Sequence, residues 1–433
     1  MNLFRRLSLP SSDWLVLAVV AALPFEHLPT TQFHGYTVKV SYLLSLLLLV
    51  TVAPRLFGSA DRRWRLDGAE YSLAGLSATA FLTTFFVAPD KARALIFSFL
   101  WLFVFLMYSV TKRLLSDQGV RARAGTVVLV VAAIVCLFGV YQYLGDSFGL
   151  PASQTGLRIQ YTKIVFGFPR VSSVALEPLY FSNYLLVPLF LCVERVLGSA
   201  KPTKYVWLLG LVSLNIILGI SRGAYLAALC GFIVFVLYAL RLPKRPERRR
   251  WFGVAVALVG AICVAGFGIG VINGKKASSN FVNHAAATDA KQEASVNDRF
   301  NTYRLAYGMF RQHPFYGFGP SSFGVITSGS YHAKPLNGYG IVNNEYLELL
   351  AEVGAVGTVF FVLFVGITLW RSMRVLHSSL SLQHVALLAG CIAILIQYNF
   401  FSTLYILYIW VFLGWLSSFS FIGSSRTTVT QSE

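Results

Sequence analysis

The sequence predicts an all-α integral membrane protein with about twelve transmembrane helices. Of its 433 residues, 56% are hydrophobic and only 12% are charged, whereas soluble domains carry about 25% charged residues. The mean hydropathy of +0.64 and the aromatic content of 15% place most of the chain in lipid. This composition excludes a cytosolic enzyme, a disordered regulator and a secreted disulfide scaffold.

Twelve segments are long and apolar enough to cross a bilayer, which takes about 17 to 25 residues of helix. The first is interrupted by Pro24 and Glu26, and its apolar core continues to Leu23 without the small-residue cleavage site of a signal peptide. The predicted spans are residues 13–30, 36–54, 69–88, 92–111, 123–144, 177–197, 204–220, 222–240, 251–272, 355–371, 383–400 and 402–420.

An even number of spans places both termini on the same side of the membrane, and the distribution of Lys and Arg identifies that side. Of the 36 Lys and Arg residues, 22 fall on the terminal segments and on the loops that share their side. Both termini are therefore predicted to be cytoplasmic. Most of the net charge of +18 then faces anionic lipid, so it does not indicate nucleic-acid binding.

Two loops on the outer side are much longer than ordinary connections, which rarely exceed about 15 residues. They cover residues 145–176 and 273–354. The predicted organisation is a block of nine spans (1–272), an outer loop domain (273–354), a block of three spans (355–420) and a cytoplasmic tail (421–433).

The long outer loop is predicted to be mobile in its first part and helical after it. Residues 276–296 are small and polar, which is typical of a mobile segment. A helix follows, with Ser295 and Asp298 in a capping-box arrangement and Pro314 as its stop. The helix is indicated by aromatic residues that recur at helical spacing: Phe300, Tyr303, Tyr307 and Phe310.

A second short helix is predicted at the end of this loop, from Asn344 to Val353, with Gly354 as its stop. Asn343 and Asn344 stand at its start, where asparagine is a good N-cap residue. Asparagine also orients hydroxyl and phosphate groups. A helix cap and a ligand contact are therefore alternative interpretations of this pair.

Arg222 lies in a junction so short that the seventh and eighth spans must form a tight outer hairpin. A charged group at that depth costs about 3 kcal/mol on insertion scales. Either Arg222 snorkels to the outer interface, or it faces inward as an anion clamp. Gly223 favours the clamp, because glycine allows a ligand or another backbone to approach closely.

Arg170 and Glu177 frame the segment that leads into the sixth span. A carboxylate that enters the membrane beside a basic residue is commonly part of a structural ion pair. The alternative is that Glu177 accepts a proton from a hydroxyl group, or that it positions Arg170.

The predicted outer helix carries arginines, whose planar, forked donors suit phosphate. Arg299 in its first turn is placed to reach the bilayer surface, whereas Arg304 and Arg311 share a face that suits simple solvation. His313 either bonds to the carbonyl groups at the helix end or acts in catalysis, and His332 lies in a loop with no periodic context. An outward arginine set above a membrane cavity indicates a phosphate-bearing lipid substrate.

Several common catalytic motifs are absent from the sequence. There is no DxD pair for a metal-dependent nucleotide-sugar transferase, no GxxxxGK[ST] loop, no GxSxG element and no histidine cluster for zinc. The five cysteines lie within apolar runs, which indicates core residues rather than ligands. We therefore expect chemistry without ATP, metal or another cofactor.

Two elements of the long outer loop give the sequence a family resemblance. The first begins at Asp298-Arg299 and ends in HPFYGFG at residues 313–319, and the second is NNEYL at residues 343–347, followed by Gly354. Together with the twelve spans and the Ser221-Arg222-Gly223 hairpin, they resemble the O-antigen ligase and polymerase superfamily. Its members share an arginine, an HPxxGxG element and an HNxYLxxxxxxG helix opening.

This resemblance implies glycan transfer on the periplasmic face of a bacterial inner membrane. The donor is a glycan on undecaprenyl diphosphate, and the acceptor is a hydroxyl group on another glycan or on the lipid A core. Arg222 and Arg299 match the family's two essential arginines, which would stabilise the departing lipid diphosphate. The other predicted contacts to the diphosphate or the glycan are Arg170, Arg304, Asn343, Asn344 and Tyr346.

One position departs from the family pattern. Ligases have a histidine where this chain has Asn343, and asparagine takes no proton near pH 7. The base is then expected among Glu177, His313 and His332. The Arg170 to Glu177 element is more similar to polymerases of polysaccharide repeat units, which favours a polymerase, with a ligase as the alternative. A transporter of lipid-linked glycans is an alternative of another class, although such carriers usually have two related halves.

Overall fold

The computed structural model describes residues 11–27, 31–33, 36–58, 65–242, 246–286, 294–328 and 339–426. Nearly all of the regular structure in these ranges is helical, because a helix satisfies its backbone hydrogen bonds within one apolar segment. Two three-residue strands, β1 (Thr31–Phe33) and β2 (Tyr36–Val38), form an antiparallel pair. The predicted helical class is confirmed.

The helices of the described residues follow in chain order. They are α1 (Ser11–Ala22), α2 (Val40–Gly58), α3 (Gly68–Phe86), α4 (Lys91–Leu114), α5 (Gln118–Ser147), α6 (Ala152–Thr155), a 3₁₀ helix (Ile159–Tyr161), α7 (Lys163–Phe166), α8 (Pro178–Gly198), α9 (Thr203–Leu218), α10 (Arg222–Ala239), α11 (Arg248–Ile272), α12 (Lys275–Ala286), α13 (Ala294–Gln312), α14 (Ser322–Thr327), α15 (Glu345–Ser378), α16 (Leu382–Gln397) and α17 (Leu407–Arg426).

Six of these helices are long and apolar enough to cross a membrane: α4, α5, α8, α10, α11 and α15. Shorter apolar helices lie within α1, α2, α9, α16 and α17. These eleven helices and α3 overlap the twelve predicted spans, one helix for each span. Several helices able to cross a membrane are therefore present, while the count of twelve crossings stays a prediction.

The helices pack into a bundle around α8. In its most apolar stretch 83% of α8 is buried, against 22% for α11, so α8 is central and α11 is peripheral. α16 packs against both α8 and α10, α17 packs against α4, and α15 packs against α3. The C-terminal helices therefore complete the same core as the N-terminal ones.

Gly354 breaks α15 into two helices. Its backbone has φ +62° and ψ −166°, outside the helical region. The HPFYGFG segment at 313–319 enters this break, and the Ala355 N–H donates to the Pro314 carbonyl oxygen at 2.8 Å. A Cβ atom at Gly354 or Gly317 would meet backbone of the other segment. The predicted helix end at Gly354 is confirmed. The HPFYGFG segment contacts the helix that begins with the NNEYL segment at this break.

The segment predicted to be mobile begins with a helix. Residues 275–286 form α12, in which buried Ala277 and half-buried Phe281 lie on one face and pack against the core. Apolar residues four apart are enough to anchor an otherwise polar helix. Residues 287–293 lie outside the described residues, so the prediction is not tested there.

α13 is a helix, as its aromatic spacing predicts, and its most buried face carries other side chains. Thr302, Ala306 and Met309 are buried, whereas 64% of Phe300 and 55% of Tyr307 are exposed. Ala306 and Met309 pack in a small core with residues of α14 and α15. The half-buried Tyr303 packs against the same core.

Of three predicted helix boundaries, the end of α1 and the start of α13 differ from the prediction, and the end of α13 agrees with it. The first predicted span reached residue 30, but α1 ends at Ala22, because the backbone N–H groups of Glu26 and His27 bond to the Val174 carbonyl oxygen instead. α13 begins one residue before Ser295, so Ser295 is not its cap. It ends just before His313 and Pro314, as predicted.

Candidate functional site

A cavity of about 460 Å³ lies among α8, α10 and α13, and we call it the arginine cavity. Its lining comes from stretches that are far apart in the sequence. It brings together five of the predicted site residues: Arg170, Glu177, Arg222, Arg299 and Asn343.

The turn before α10 presents Arg222 to this cavity. The Ser221 hydroxyl caps α10 by accepting from the Ala224 N–H at 3.4 Å. Ile220 has φ +50°, which is rare for a β-branched residue and persists where the surroundings enforce it. The Arg170 guanidinium donates to the Ile220 carbonyl oxygen at 3.2 Å and lies 3.4 Å from that of Gly219. Arg170 thus holds the turn that carries Arg222.

Gly223 allows close packing, but against a side chain rather than another backbone. A Cβ atom at this position would lie 2.7 Å from ring carbons of Phe400. Phe400 also lines the arginine cavity. Gly223 therefore lets Phe400, from the segment after α16, reach the site.

Glu177 immediately precedes α8 and makes no capping hydrogen bond with its side chain, and it lines the cavity. Burial raises the pKa of Glu177, although the positive charges of Arg158 and Arg170 and a hydrogen bond with Tyr161 act in the opposite direction. The negative charge of Glu26 adds to the increase. Glu177 is therefore a carboxyl group that is easier to protonate than an ordinary glutamate.

Arg170 is a buried cation that interacts electrostatically with Tyr161, Glu177 and Arg299. Burial lowers the pKa of Arg170, and repulsion from Arg299 contributes to that decrease. Its guanidinium lies 5.8 Å from the centre of the Tyr161 ring. Burial and the neighbouring Glu177 raise the pKa of Tyr161 to about 12. Tyr161 therefore stays a neutral hydroxyl beside the cation.

α13 supplies Arg299 and is held at the cavity by polar contacts. The Tyr303 hydroxyl, one turn further along, lies 3.3 Å from the Asn343 carbonyl oxygen and 3.2 Å from that of Asn399. Asn343 has φ +61°, a conformation that asparagine tolerates. Its N–H donates to the Ser402 hydroxyl at 3.0 Å. Asn343 is thereby fixed in the cavity wall.

Arg304 and His313 do not line the arginine cavity. Arg304 is exposed on another side of α13. His313 is exposed beyond the end of α13, and the helical rise from Arg299 to His313 is about 21 Å. Its ring contacts Phe318, with a centroid distance of 4.4 Å. His332 lies outside the described residues.

Asn344 and Tyr346 have structural contacts outside the cavity. The Asn344 side chain caps α15 by accepting from the Leu347 N–H at 3.1 Å, so the helix-cap interpretation describes its position. The Tyr346 hydroxyl donates to the Leu395 carbonyl oxygen at 2.7 Å within the bundle. Neither residue lines the arginine cavity.

The sequence interpretation missed two residues of the first outer loop. Tyr161 lines the cavity, and Arg158 acts on Glu177 through its charge. The sequence signal that could have identified them is the position of Arg158 three residues before Tyr161 in an unusually long loop. In the ranges that the structure describes, no group of three His, Cys, Asp or Glu side chains is arranged to hold a metal ion.

Comparison with known proteins connects this geometry to a family. Residues 207–362 match the O-antigen ligase family. The matched stretch contains Arg222, Arg299, Asn343 and the helix break at Gly354. No curated protein matches the chain. The matched stretch covers less than half of the chain, and together with the helices able to cross a membrane it is consistent with a member of the O-antigen ligase and polymerase superfamily.

Proposed function

We propose that the protein is a glycosyltransferase of the bacterial inner membrane that works on its periplasmic face. It moves a glycan en bloc from undecaprenyl diphosphate onto a sugar hydroxyl group. The observation that carries this proposal is the presence of Arg170, Arg222 and Arg299 in one cavity. Glu177 is the one carboxylate among the described residues that line it. An excess of cationic groups in a partly enclosed site favours a multiply charged anion.

The proposed reaction uses the arginines at the leaving group. The acceptor oxygen forms a bond to the anomeric carbon while the bond from that carbon to the diphosphate oxygen breaks. Negative charge then grows on the departing lipid diphosphate, and forked guanidinium donors stabilise it. Arg222 and Arg299 fill this role, whereas Arg170 positions the turn before α10 through the carbonyl groups of Gly219 and Ile220. The guanidinium groups thereby supply the positive charge that a metal ion supplies in other enzymes.

Glu177 is the proposed general base. Of the three candidates, it is the one that lines the cavity among the described residues. The raised pKa of Glu177 brings it closer to the pH at which a base is most effective. It takes the proton of the acceptor hydroxyl as the new glycosidic bond forms. His313 is too distant for this role.

The acceptor is proposed to be another glycan, which makes the protein a polymerase of polysaccharide repeat units. Two features support this choice: the Arg170 to Glu177 element contributes to the cavity, and Asn343 there cannot take a proton. Transfer to the lipid A core is the second candidate, favoured by the match to the O-antigen ligase family.

The direct test is replacement of the two leaving-group arginines. Arg222→Ala or Arg299→Ala is expected to lower polymer formation in cells by about 10²- to 10³-fold, the usual effect of removing one preorganised donor. The matched control is Arg304→Ala, because Arg304 is an exposed arginine on the same helix as Arg299. Polymer is measured by gel electrophoresis, with the amount of membrane-inserted protein determined in parallel. Normal polymer from both cavity variants would overturn the proposal.

Deletion of the gene distinguishes the two acceptors. Loss of a polymerase leaves single repeat units, whereas loss of a ligase leaves long chains on the lipid carrier. Analysis of the lipid-linked glycans in the deletion strain identifies which has accumulated.

A further inference from the structure

A second cavity, of about 230 Å³, lies among α5, α8 and α9, and we call it the basic cleft. The lining residues that carry the argument are Thr126, Ala133, Arg195, Lys204, Tyr205 and Leu208. On α8, Glu177 lines the arginine cavity and Arg195 lines the basic cleft, and the helix rises about 27 Å between them. The basic cleft is therefore at the opposite end of the bundle, on the side predicted to be cytoplasmic.

Two cations form the entrance of the basic cleft. Lys204 is exposed in the first turn of α9, and Arg195 is half-buried in the last turn of α8. The Arg195 Nε atom lies 3.2 Å from the Glu194 carboxylate. Its Nη2 atom lies on the α5 side, 3.5 Å from the position that a Cβ atom would take at Gly125. Among the described residues that line the cleft, none carries a carboxylate. The entrance is therefore positively charged even when Glu194 is included.

The nearby end of α8 does not oppose an anion at this entrance. The last carbonyl groups of a helix carry partial negative charge. At the end of α8, the Arg250 guanidinium donates to the Leu197 carbonyl oxygen at 2.6 Å and to that of Ser199 at 3.0 Å. Arg250 thereby covers negative ends that would otherwise face a ligand bound between α8 and α9.

The walls of the basic cleft become less polar with depth. α5 and α9 pack against each other, and both begin on the side predicted to be cytoplasmic. On α5 the lining passes from Thr126 to Ala133, and on α9 it passes from Lys204 and Tyr205 to Leu208. The rise from Thr126 to Ala133 is about 10 Å. The order from the entrance inward is therefore cationic groups, hydroxyl groups and apolar side chains.

We propose that the basic cleft binds an anionic phospholipid of the cytoplasmic leaflet. Basic pockets between transmembrane helices on this side suit anionic head groups. The phosphate group lies between Arg195 and Lys204. The glycerol unit and its ester oxygens lie at the level of the Thr126 and Tyr205 hydroxyl groups, and an acyl chain follows the apolar end of the cleft.

The hydroxyl groups below the entrance favour a phospholipid over a prenyl phosphate. The Thr126 hydroxyl donates to the Ala122 carbonyl oxygen at 3.3 Å, and its oxygen can still accept or share a hydrogen bond. The glycerol esters of a phospholipid bring oxygen atoms to this depth. A prenyl phosphate has only hydrocarbon beyond its phosphate group, so it would leave both hydroxyl groups facing an apolar chain.

The first experiment is a native mass spectrometry titration of the purified full-length protein with phosphatidylglycerol and phosphatidylcholine that carry identical acyl chains. Wild type is expected to bind its first phosphatidylglycerol at least about fivefold more tightly, since each cation near the head group contributes about that factor. Lys204→Gln should remove most of this preference. The matched control is Lys201→Gln, because Lys201 is an exposed lysine of the same loop that lies outside the cleft lining.

Two outcomes of this titration would overturn the inference. One is equal binding of the two phospholipids by wild type. The other is a preference that Lys204→Gln retains in full. Displacement of phosphatidylglycerol by farnesyl phosphate at equal concentration would also overturn it, because the cleft would then select a prenyl chain.

A second experiment tests the apolar end of the cleft. Ala133→Trp fills this end, and Ile134→Trp is the matched control, because 55% of Ile134 is exposed at the next position of α5. Phosphatidylglycerol at about ten times its Kd is expected to raise the Tm of wild type and Ile134→Trp by about 1 to 2 °C, since it binds the folded state. It should not raise the Tm of Ala133→Trp. An equal increase from glycerol 3-phosphate, which has no acyl chain, would contradict the proposal.

The basic cleft and the arginine cavity are tested separately. Arg222→Ala is expected to keep the wild-type preference for phosphatidylglycerol, because the two sites lie at opposite ends of α9. Loss of the preference in Arg222→Ala would place the bound phospholipid in the arginine cavity and overturn its assignment to the basic cleft.

Discussion

Two parts of the molecule each gather three cationic side chains, and they differ in how these charges are balanced. In the first, which we call the paired cluster, Lys112, Arg113 and Arg371 contact the carboxylates of Asp67 and Glu70. In the arginine cavity, Glu177 is the one carboxylate among the described lining residues. The paired cluster therefore holds α3, α4 and α15 together, whereas three arginines and one carboxylate meet in the described lining of the arginine cavity.

The pKa values of Asp67 in the paired cluster and Glu177 in the arginine cavity are shifted in opposite directions. Burial acts to raise the pKa of Asp67, but Lys112 and Arg371 outweigh it, so the pKa of Asp67 is below its ordinary value. For Glu177 burial prevails over Arg158 and Arg170, and its pKa is raised. A carboxylate in direct contact with cations stays ionised and structural. The raised pKa of Glu177 means that it takes up a proton at a higher pH than an ordinary glutamate, which suits its proposed role as a base.

The largest expected effect comes from breaking the paired cluster. Glu70 is fully buried, contacts Lys112 at 3.2 Å and accepts from the Asp67 N–H at 3.0 Å in a capping box. Glu70→Ala is expected to lower the free energy of unfolding by about 3 to 5 kcal/mol, because it strips buried cations of their counter-charge. Unfolding in mixed micelles with increasing SDS measures this change.

The control for that substitution is an exposed pair. Glu247 is 72% exposed at its side chain and lies 3.8 Å from Arg250. Glu247→Ala is expected to change the free energy of unfolding by about 0 to 1 kcal/mol. A Glu70→Ala variant as stable as Glu247→Ala would show that the paired cluster does not stabilise the bundle.

The second prediction concerns Glu177, the proposed base in the arginine cavity. Glu177→Gln is expected to lower the turnover number by about 10²-fold or more, because a general base is lost while the shape is kept. In wild type the base must be deprotonated, so activity falls as the pH decreases through the raised pKa of Glu177. That acidic limb should disappear in Glu177→Gln. An unchanged pH profile would assign the base to another residue.

The third prediction separates charge from geometry at the leaving group. Arg222→Lys keeps a positive charge but loses the planar fork of donors. We expect a decrease in turnover of about tenfold, smaller than that of Arg222→Ala, since part of the electrostatic stabilisation remains. Steady-state kinetics with purified protein measures it, and Arg304→Lys is the control. A loss equal to that of Arg222→Ala would mean that the forked geometry, rather than the charge, is decisive.

Features that depend on neighbouring residues were predictable. Long apolar runs predicted the helices, and Gly354 and Pro314 predicted where helices stop. The short Ser221 to Gly223 junction predicted a tight turn, and the structure has α10 beginning there with Ser221 as its cap. These features follow from backbone hydrogen bonding and from the conformational preferences of Gly and Pro, which act over a few residues.

Features that depend on distant partners were harder to predict. The aromatic spacing of α13 predicted the helix but not its buried face, where Ala306 and Met309 pack with residues of α14 and α15. Tyr161 lies in no periodic pattern of the sequence. It lines the cavity because the Arg170 backbone N–H donates to the Tyr161 backbone carbonyl oxygen at 2.8 Å. Periodicity does not identify which neighbour a face will meet.

The sequence by itself determined that this is a helical membrane protein, and it indicated the short stretches in which its unusual polar residues occur. The tertiary structure decided which of these residues share a site: Arg170, Glu177, Arg222 and Arg299 line one cavity, whereas Arg304 and His313 do not. The physical reason is the range of the interactions. Hydrophobicity and helix termination are local to the chain, but a cavity exists only after distant helices have packed against each other.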